Sequence, residues 1–180
     1  MPETWFTSDT HYGHTNVIGY SKRPFASVED MEEGLVARFN ERVCPGDTVY
    51  HLGDFAWRDD IAKRVLSRLN GHIHLIAGNH DHTKVRKLPG FASVQHYLEF
   101  KLDNRHLVLC HYAMRVFNQS HRGAWQLHGH SHGSLKDDPS TLQTDVGVDC
   151  WDYRPVSFDE IRQVMSRKQW RPVDHHGEDE

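Results

Sequence analysis

Apolar runs that are typical of β-strands alternate with helical patterns through the first 77 residues of the chain. Strands are predicted at residues 5–8, 48–52 and 72–77, because each run is short, largely apolar, and followed by an acidic residue or a glycine. Helices are predicted between them, over residues 27–43 and about 59–69. The order β, α, β, α, β indicates parallel strands that are joined by crossover helices.

The second half of the chain has a different pattern. Residues 94–102 and 106–110 flank the turn Asp103-Asn104-Arg105, and this arrangement predicts a β-hairpin. A last strand is predicted at residues 142–148. A closing helix is predicted to begin at Ser157, which has a glutamate three residues later and so forms a capping pair.

At 180 residues, the chain has the length of one domain with its own core. No internal repeat or long linker is visible, so we predict a single domain over residues 1–173 and a polar tail over residues 174–180. The amino terminus does not resemble a targeting signal, and no apolar run reaches the roughly 18 residues that suggest a membrane span. Three widely spaced cysteines form no disulfide framework. The expected compartment is therefore the cytoplasm, without a membrane partner.

Charge and histidine content narrow the classes of function. A formal charge of −4 does not indicate a general nucleic-acid coat, which needs clustered lysine and arginine, although a local basic groove stays open as an alternative. The chain contains 16 histidines, and histidine is both the commonest metal ligand and the side chain that titrates near neutral pH. This content favours metal binding or proton transfer.

Residues of the types that bind metals follow the predicted strands and one further glycine-led turn. The third strand ends at Gly78, which permits backbone angles that a side chain would forbid, and is followed by Asn79, His80 and Asp81. Open α/β sheets bind their ligands at the carboxyl ends of strands. The other residues of this kind are Asp9, His11, Asp54, His111, His130 and His132. Any one such position is ordinary, but their joint occurrence predicts a shared site.

Five short motifs in this series resemble those of the calcineurin-like metallophosphoesterases. In chain order they are Asp9-Thr10-His11, Gly53-Asp54, Gly78-Asn79-His80-Asp81, His111 and Gly129-His130-Ser131-His132. Each motif alone is weak, whereas the ordered set, which spans residues 6 to about 149, is specific. The resemblance implies an α/β fold, a four-layer α/β/β/α sandwich of two mixed sheets flanked by helices. A chain this compact leaves little room for an added cap domain.

The resemblance also implies two metal ions. The first ion would be held by Asp9, His11, Asp54 and His132. The second ion would be held by Asp54, Asn79, His111 and His130. Asp54 would bridge the two ions, because one carboxylate can offer its two oxygens to two cations. Mixed nitrogen and oxygen ligands suit divalent transition metals better than Ca or Mg; Mn is expected, and Fe, Zn, Ni or Co would also fit.

The reaction that the resemblance implies is hydrolysis of a phosphomonoester or phosphodiester by a hydroxide that bridges the two ions. His80 would protonate the leaving alkoxide, and Asp81 would orient its imidazole. General acid help of this kind is typically worth about 10²–10⁴ in rate. The expected partner is a phosphoester substrate, either a nucleotide-like diester or an end of a nucleic acid. No oligomeric state is predicted.

Other residues near the motifs have two interpretations each. His14 and Arg23 lie in a loop beside the predicted site and would bind the substrate phosphate, or they are a turn-stabilising histidine and a surface arginine. Asp149 supports a ligand histidine, or it is an ordinary acid at a strand end. Three aromatic residues line a pocket of nucleobase size, or they belong to the core: Trp57, Tyr112 and Trp125.

Two other classes share single features with this chain. An HD-type phosphohydrolase has the dipeptide His80-Asp81, but that fold is all-helical, whereas the run before His80 is strand-like. A non-catalytic scaffold of the same fold would lack metal ligands or the catalytic histidine, and Asp9, Asp54 and Asn79 are present together with His80. A metallophosphoesterase accounts for the whole set of motifs.

Overall fold

The computed structural model describes residues 2–173, which contain two mixed β-sheets. The first sheet contains β1 (Thr4–Thr7), β2 (Thr48–His51), β3 (His72–Ile76), β4 (Ser93–Gln95) and β9 (Val156–Ser157). Their order across the sheet is β4-β3-β2-β1-β9. Strands β1 to β4 are parallel, as the crossover pattern predicts, and β9 pairs with β1 in the antiparallel direction.

The second sheet has four strands in the order β5-β6-β7-β8. They are β5 (Tyr97–Leu102), β6 (Arg105–Cys110), β7 (Trp125–His128) and β8 (Gln143–Asp145). The antiparallel pair β5–β6 confirms the predicted hairpin. Its turn residues Asp103 and Asn104 have φ values of 45° and 61°, which is the left-handed geometry that a two-residue hairpin turn requires. The pairs β6–β7 and β7–β8 are parallel.

Helices flank the sheets. They are α1 (Thr15–Tyr20), α2 (Val28–Arg42), α3 (Asp59–Leu66), α4 (Thr83–Arg86) and α5 (Phe158–Ser166). The side chain of Ser27 caps α2 by accepting a hydrogen bond from the amide of Asp30 at 3.1 Å. The apolar side of α2, which includes Met31 and Leu35, packs in one cluster with strand residues such as Val49. Helix α5 packs against β1, β8 and β9.

A second apolar cluster joins the two sheets. Phe6, Leu52 and Ile76 from the first sheet share it with Leu107 and Leu127 from the second, and all five side chains are fully buried. Along a strand, successive side chains point to opposite faces, so β1 contributes its neighbouring residue Trp5 to the helix-facing cluster. Burial of each side chain of this size is worth about 1.5–3 kcal/mol. This cluster holds the first sheet against the second sheet, so the strand ends of the two sheets keep their relative positions.

An irregular segment, residues 111–124, covers the outer face of the second sheet. The Nε2 of Gln126 donates to the carbonyl of Tyr112 at 2.8 Å, and its Oε1 accepts from the amide of Met114 at 3.1 Å. The Nδ2 of Asn118 donates to Glu99 at 2.7 Å. Hydrogen bonds with side chains of the second sheet therefore hold this irregular segment in place. Its regular structure is one 3₁₀ turn, Ser120–Arg122.

The predicted fold class, two mixed sheets with flanking helices, is confirmed. The prediction of one strand over residues 94–102 is wrong, because the chain changes sheets at His96: β4 pairs with β3, and β5 pairs with β6. Residues 142–148 form only the short β8 before a 3₁₀ turn, Val148–Cys150. No helix within residues 2–173 is long and apolar enough to cross a membrane. The predicted tail, residues 174–180, lies outside the described residues.

Candidate metal centre

Loops from both sheets meet at the carboxyl ends of the strands. Within the first sheet, the amide of Asp9 after β1 donates to the carbonyl of Gly53 after β2 at 2.9 Å. Within the second sheet, the amide of Gly129 after β7 donates to the carbonyl of His111 after β6 at 3.0 Å. Between the sheets, the amide of His130 donates to the carboxylate of Asp9 at 2.9 Å. The loops that contain the predicted metal ligands therefore meet between the carboxyl ends of the two sheets, and this line of contact is called the seam.

Five of the predicted ligands have a left-handed backbone. Their φ values are 57° for Asp9, 50° for His11, 57° for Asp54, 70° for His130 and 47° for His132. A non-glycine residue in this region costs roughly 1–3 kcal/mol, and such residues cluster at functional sites. The sharp turns let the two ligands of Asp9-Thr10-His11, and the two of His130-Ser131-His132, face the same seam.

Asp9, His11 and His132 form the first group of side chains that could hold an ion, with ligand atoms all within 4.8 Å of one another. The Nε2 of His132 lies 3.9 Å from Oδ1 of Asp9, and the rings of His11 and His132 stack with centroids 5.2 Å apart. Burial raises the pKa of Asp9 to about 7 and lowers the pKa of His11 to about 2. The imidazole of His11 is therefore neutral, the form in which it can bind a metal.

Asp54, His111 and His130 form the second group, again with ligand atoms within 4.8 Å of one another. The Nδ1 of His111 lies 2.7 Å from the carbonyl of Leu52 and donates to it, so Nε2 is directed into the site. That Nε2 lies 3.2 Å from Oδ1 of Asn79, which places the predicted amide ligand in this group. His130 is exposed, in contrast to the two buried members.

One oxygen of Asp54 joins the two groups. Its Oδ2 lies 3.5 Å from Nε2 of His11 and 3.5 Å from Nε2 of His111. Its Oδ1 accepts a hydrogen bond from the amide of His80 at 2.8 Å. Oδ2 is thus the oxygen that lies near a histidine of each group, and the expectation that each oxygen would serve one ion stays a prediction. Burial alone would raise the pKa of Asp54, but His111 and the amide of His80 outweigh it and hold the pKa below its usual range.

Arg23 faces away from this seam. Its guanidinium has 0% exposure; Nε and Nη2 donate to the carboxylate of Asp149 at 2.8 and 2.7 Å, and Nη1 and Nη2 donate to the carbonyls of Thr10 and Asp9. This placement contradicts the prediction that Arg23 binds the substrate phosphate, because its donors are used inside the protein. Asp149 also accepts from Nδ1 of His132 at 2.7 Å. Of the two interpretations of Asp149, support of a ligand histidine is the one that fits.

Asp81 holds the loop that carries Asp54. One carboxylate oxygen accepts from the amides of Asp54 and Gly78, each at 2.8 Å, and the other accepts from the amide of Phe55 at 2.9 Å. The side chain is buried, and both oxygens point toward these backbone groups. The predicted role of Asp81 in orienting the imidazole of His80 is therefore contradicted. Three hydrogen bonds of this kind fix the position of the Asp54 carboxylate instead.

His80 and His14 lie beside the first group. The ring centroid of His80 is 5.2 Å from that of His11 and 5.5 Å from that of Trp57. The ring of His14 stacks on Trp57 with centroids 4.1 Å apart, and it lies 5.4 Å from His11. Trp57 is 39% exposed, so it forms part of the rim rather than the core. These positions bring both histidines to the site, while their roles in acid catalysis and phosphate binding stay predictions.

The donor set suits divalent cations. Two buried carboxylates, from Asp9 and Asp54, face the imidazoles of the two ligand groups. Charges of one sign in such surroundings are costly unless a cation compensates them. The Nδ1 of His11 is also buried and has no hydrogen-bond partner among residues 2–173. The residues present therefore fit the ions that the motifs imply.

Two mixed sheets with paired groups of acids and histidines at their strand ends define the metallophosphoesterase class of α/β proteins. The Calcineurin-like phosphoesterase superfamily domain matches residues 4–147. The chain belongs to this superfamily, which confirms the resemblance of the five motifs.

Three further proteins are similar to this chain. An uncharacterized protein of Methanocaldococcus jannaschii, MJ1445, is 33% identical, with 93% of each chain covered. The Gene 66 protein of Mycobacterium phage D29 is 30% identical, with 92% of this chain and 97% of the phage protein covered. Among solved structures, the protein of unknown function AQ665 from Aquifex aeolicus has a TM-score of 0.72 at 23% identity, with 91% of this chain and 100% of that chain covered. The structural likeness supports the same fold over nearly the whole described chain.

Proposed function

We propose that this chain hydrolyses a phosphomonoester or phosphodiester with the aid of two divalent metal ions. The observation that carries the proposal is the position of Asp54 Oδ2, 3.5 Å from a histidine nitrogen of each ligand group. The residues that would hold the first ion are Asp9, His11, Asp54 and His132. The residues that would hold the second ion are Asp54, Asn79, His111 and His130.

The charge balance of the site favours an anionic substrate. Two divalent cations would lower the pKa of water and stabilise negative charge on the phosphoryl oxygens. Asp9 and Asp54 are the only carboxylates among the proposed ligands, so the ligands contribute two negative charges against four positive ones. The charge of Asp149 is compensated separately by Arg23. The site therefore keeps a positive excess that attracts a phosphate group.

We assign to His80 the role of protonating the leaving oxygen. It belongs to neither of the two ligand groups found among residues 2–173, so its imidazole is available to carry a proton. Its backbone is held by the hydrogen bond to Oδ1 of Asp54, and its ring lies between the rings of His11 and Trp57. The proton would pass from the imidazole to the departing alkoxide, which neutralises the charge that develops there.

The mixture of imidazole, carboxylate and amide ligands leads us to propose Mn as the first ion to test, followed by Fe, Zn, Ni and Co. The proposed substrate is a nucleotide-like phosphoester. The rim residue Trp57 presents an aromatic surface next to His14, and such surfaces stack on nucleobases.

The test combines metal analysis with hydrolysis. The purified protein is stripped with a chelator, reloaded with Mn, and measured for bound metal and for hydrolysis of p-nitrophenyl phosphate and bis(p-nitrophenyl) phosphate. We expect two ions per chain and hydrolysis of at least one ester, with neither in the stripped protein. Saturation at a single ion would contradict the binuclear site. Two bound ions without hydrolysis of these esters or of a dinucleotide would favour the non-catalytic scaffold.

A further inference from the structure

A groove of about 780 Å³ lies beside the candidate metal centre, on the outer side of the second sheet. Residues 113–115 form one wall, the loop of residues 133–141 forms the other, and β8 contributes to the floor. Its volume falls within the range of about 300–1,000 Å³ that is typical of small-molecule sites. The loop wall begins at Gly133, directly after the proposed ligand His132.

Gly147 lies between a residue of the groove floor, Asp145, and the proposed ligand Asp9. A Cβ on Gly147 would lie 2.9 Å from Oδ2 of Asp9 and 2.9 Å from Oδ1 of Asp145. Asp145 lines the groove, and Asp9 belongs to the first ligand group. The groove and the first ligand group are therefore neighbours, with one residue between Asp145 and Asp9.

The groove is lined by three carboxylates and two cations, and only the cations lack a partner within residues 2–173. Its acidic side chains are each engaged within the protein: Asp145 accepts from the amides of Gly147 and Gly133, Asp137 pairs with Lys168, and Asp138 accepts from Ser140. Arg115 and Lys136 also line the groove, and both are exposed. Neither makes a side-chain hydrogen bond or an ion pair with any residue of the described part of the chain. Two cations are thus left to bind an anion.

The walls of the groove are largely apolar. The Nε1 of Trp151 donates to the carbonyl of Asp145 at 2.7 Å, which fixes the polar edge of the indole and leaves its carbon surface to line the groove. Leu135 is 50% exposed on the loop wall, and Met114 lines the opposite wall. Apolar and aromatic walls with a few convergent polar groups are typical of sites for flat organic molecules.

We propose that this groove binds the nucleotide adjacent to the scissile phosphate of a phosphodiester. The base would lie against Trp151 and Leu135, and the next phosphate would pair with Arg115 and Lys136. The inference rests on the proposed function, and it assigns the substrate class to a di- or oligonucleotide rather than a small phosphate ester. Arginine pairs with phosphate through two parallel hydrogen bonds, and lysine through a point charge.

The test compares two charge-matched double variants. Arg115→Gln with Lys136→Gln removes the free cations of the groove. Lys87→Gln with Lys101→Gln removes the same charge from exposed positions on α4's carboxyl end and on β5. Isothermal titration of the Mn-loaded proteins at fixed low salt uses a thymidine dinucleotide with a 5′ phosphate and a phosphorothioate linkage. Steady-state kinetics compare the ordinary dinucleotide with bis(p-nitrophenyl) phosphate.

For the groove variant, we expect Kd for the dinucleotide to rise at least tenfold, and the ratio of kcat/KM for the dinucleotide to that for the small ester to fall by a similar factor. The control variant should match the wild type, and both should keep two ions per chain.

Equal Kd values for the groove variant and the wild type would overturn the inference. A wild type that hydrolyses the small ester but does not bind the dinucleotide would also overturn it, with the proposed hydrolysis intact. Binding that depends on the two cations, without any hydrolysis, would support the groove while the proposed function fails.

Discussion

The two ligand groups differ in how the protein supports them. In the first group, His132 donates to Asp149, and the buried guanidinium of Arg23 holds Asp149. In the second group, the ring of His130 is exposed and makes no hydrogen bond to residues 2–173; its neighbours are the rings of His111 and Tyr112. The first group is therefore fixed from behind by an ion pair, whereas His130 of the second group is held only by packing.

Because of this difference, we expect the two ions to be bound with different affinities. A histidine that is oriented by a carboxylate binds metal with less entropic cost, because its ring is already in position. Asn79 and His130 stand at the exposed side, where Tyr112 donates to Oδ1 of Asn79 at 3.4 Å. We expect the first ion to be bound more tightly and the second to exchange more readily.

Asp54 is the one side chain that both ligand groups share. Asp54→Ala should therefore release both ions, and not only the ion of one group. We expect metal content to fall to background in elemental analysis, and kcat/KM to fall by about 10³-fold or more, since the ions contribute several kcal/mol at about 1.4 kcal/mol per tenfold. Asp60→Ala is the matched control, because Asp60 is an exposed aspartate paired with Arg58. Retention of both ions by Asp54→Ala would refute the bridge.

His80→Gln tests whether the first group has a proton donor beside it. The backbone amide that holds Asp54 is retained, so both ions should stay bound. We expect kcat to fall about 10²-fold on substrates with an alkoxide leaving group, and much less on p-nitrophenyl esters, whose leaving anion scarcely needs a proton. A uniform loss on both kinds of ester would assign His80 to phosphate binding, and loss of metal would make it a ligand.

Asp149→Ala and His130→Ala should weaken different ions. Each change should weaken the affinity for one ion by about 10–100-fold, the range typical of changes around metal ligands. Only Asp149→Ala should also destabilise the metal-free fold, by about 3–5 kcal/mol, because it leaves the guanidinium of Arg23 buried without a carboxylate to balance its charge. Manganese titration and urea unfolding of the stripped proteins measure the two effects. Equal losses of stability would show that the two groups are supported alike.

The smallest expected effect is that of replacing His51, a buried histidine that contacts Thr10 between the ligands Asp9 and His11. Its Nε2 lies 2.9 Å from the hydroxyl of Thr10, and burial lowers its pKa to about 3. In the unfolded chain, histidine titrates near 6.5. The unfolded state therefore binds an extra proton between these values, and stability is lost as the pH falls below 6.5. We expect His51→Gln to reduce this dependence by up to about 1.4 kcal/mol per pH unit in urea unfolding, while the exposed His72→Gln leaves it unchanged. An unchanged slope in the first variant would show that His51 is not held neutral.

The sequence predicted the residues of the site better than their contacts. Asp9, Asp54 and Asn79 could be predicted to converge, because each follows a strand and parallel strands end at the same edge. The inward direction of Arg23 could not, because its partner Asp149 is 126 residues away in the chain. The loop around Arg23 is polar and close to a cationic site, which is equally consistent with a side chain that faces the substrate.

Two local patterns were also ambiguous. Asp81 follows His80 directly, but its carboxylate is taken by backbone amides of the Asp54 loop, and adjacency in sequence contains no information on that choice. The alternation of strand residues continues across His96, so nothing in residues 94–102 marks the point where the chain leaves one sheet for the other. Both features depend on how the two sheets dock.

The left-handed backbone at five proposed ligands positions them for metal binding but lowers the stability of the metal-free fold. Glycine adopts such φ values without the steric cost that other residues incur, so His132→Gly would relieve strain in the metal-free chain while it removes a ligand. Selection for a more stable metal-free protein would therefore act against the site itself. An alanine at any of these five positions deletes the ligand and keeps the strain. Comparing glycine with alanine at one of these positions separates the energy stored in the backbone from the energy of metal binding.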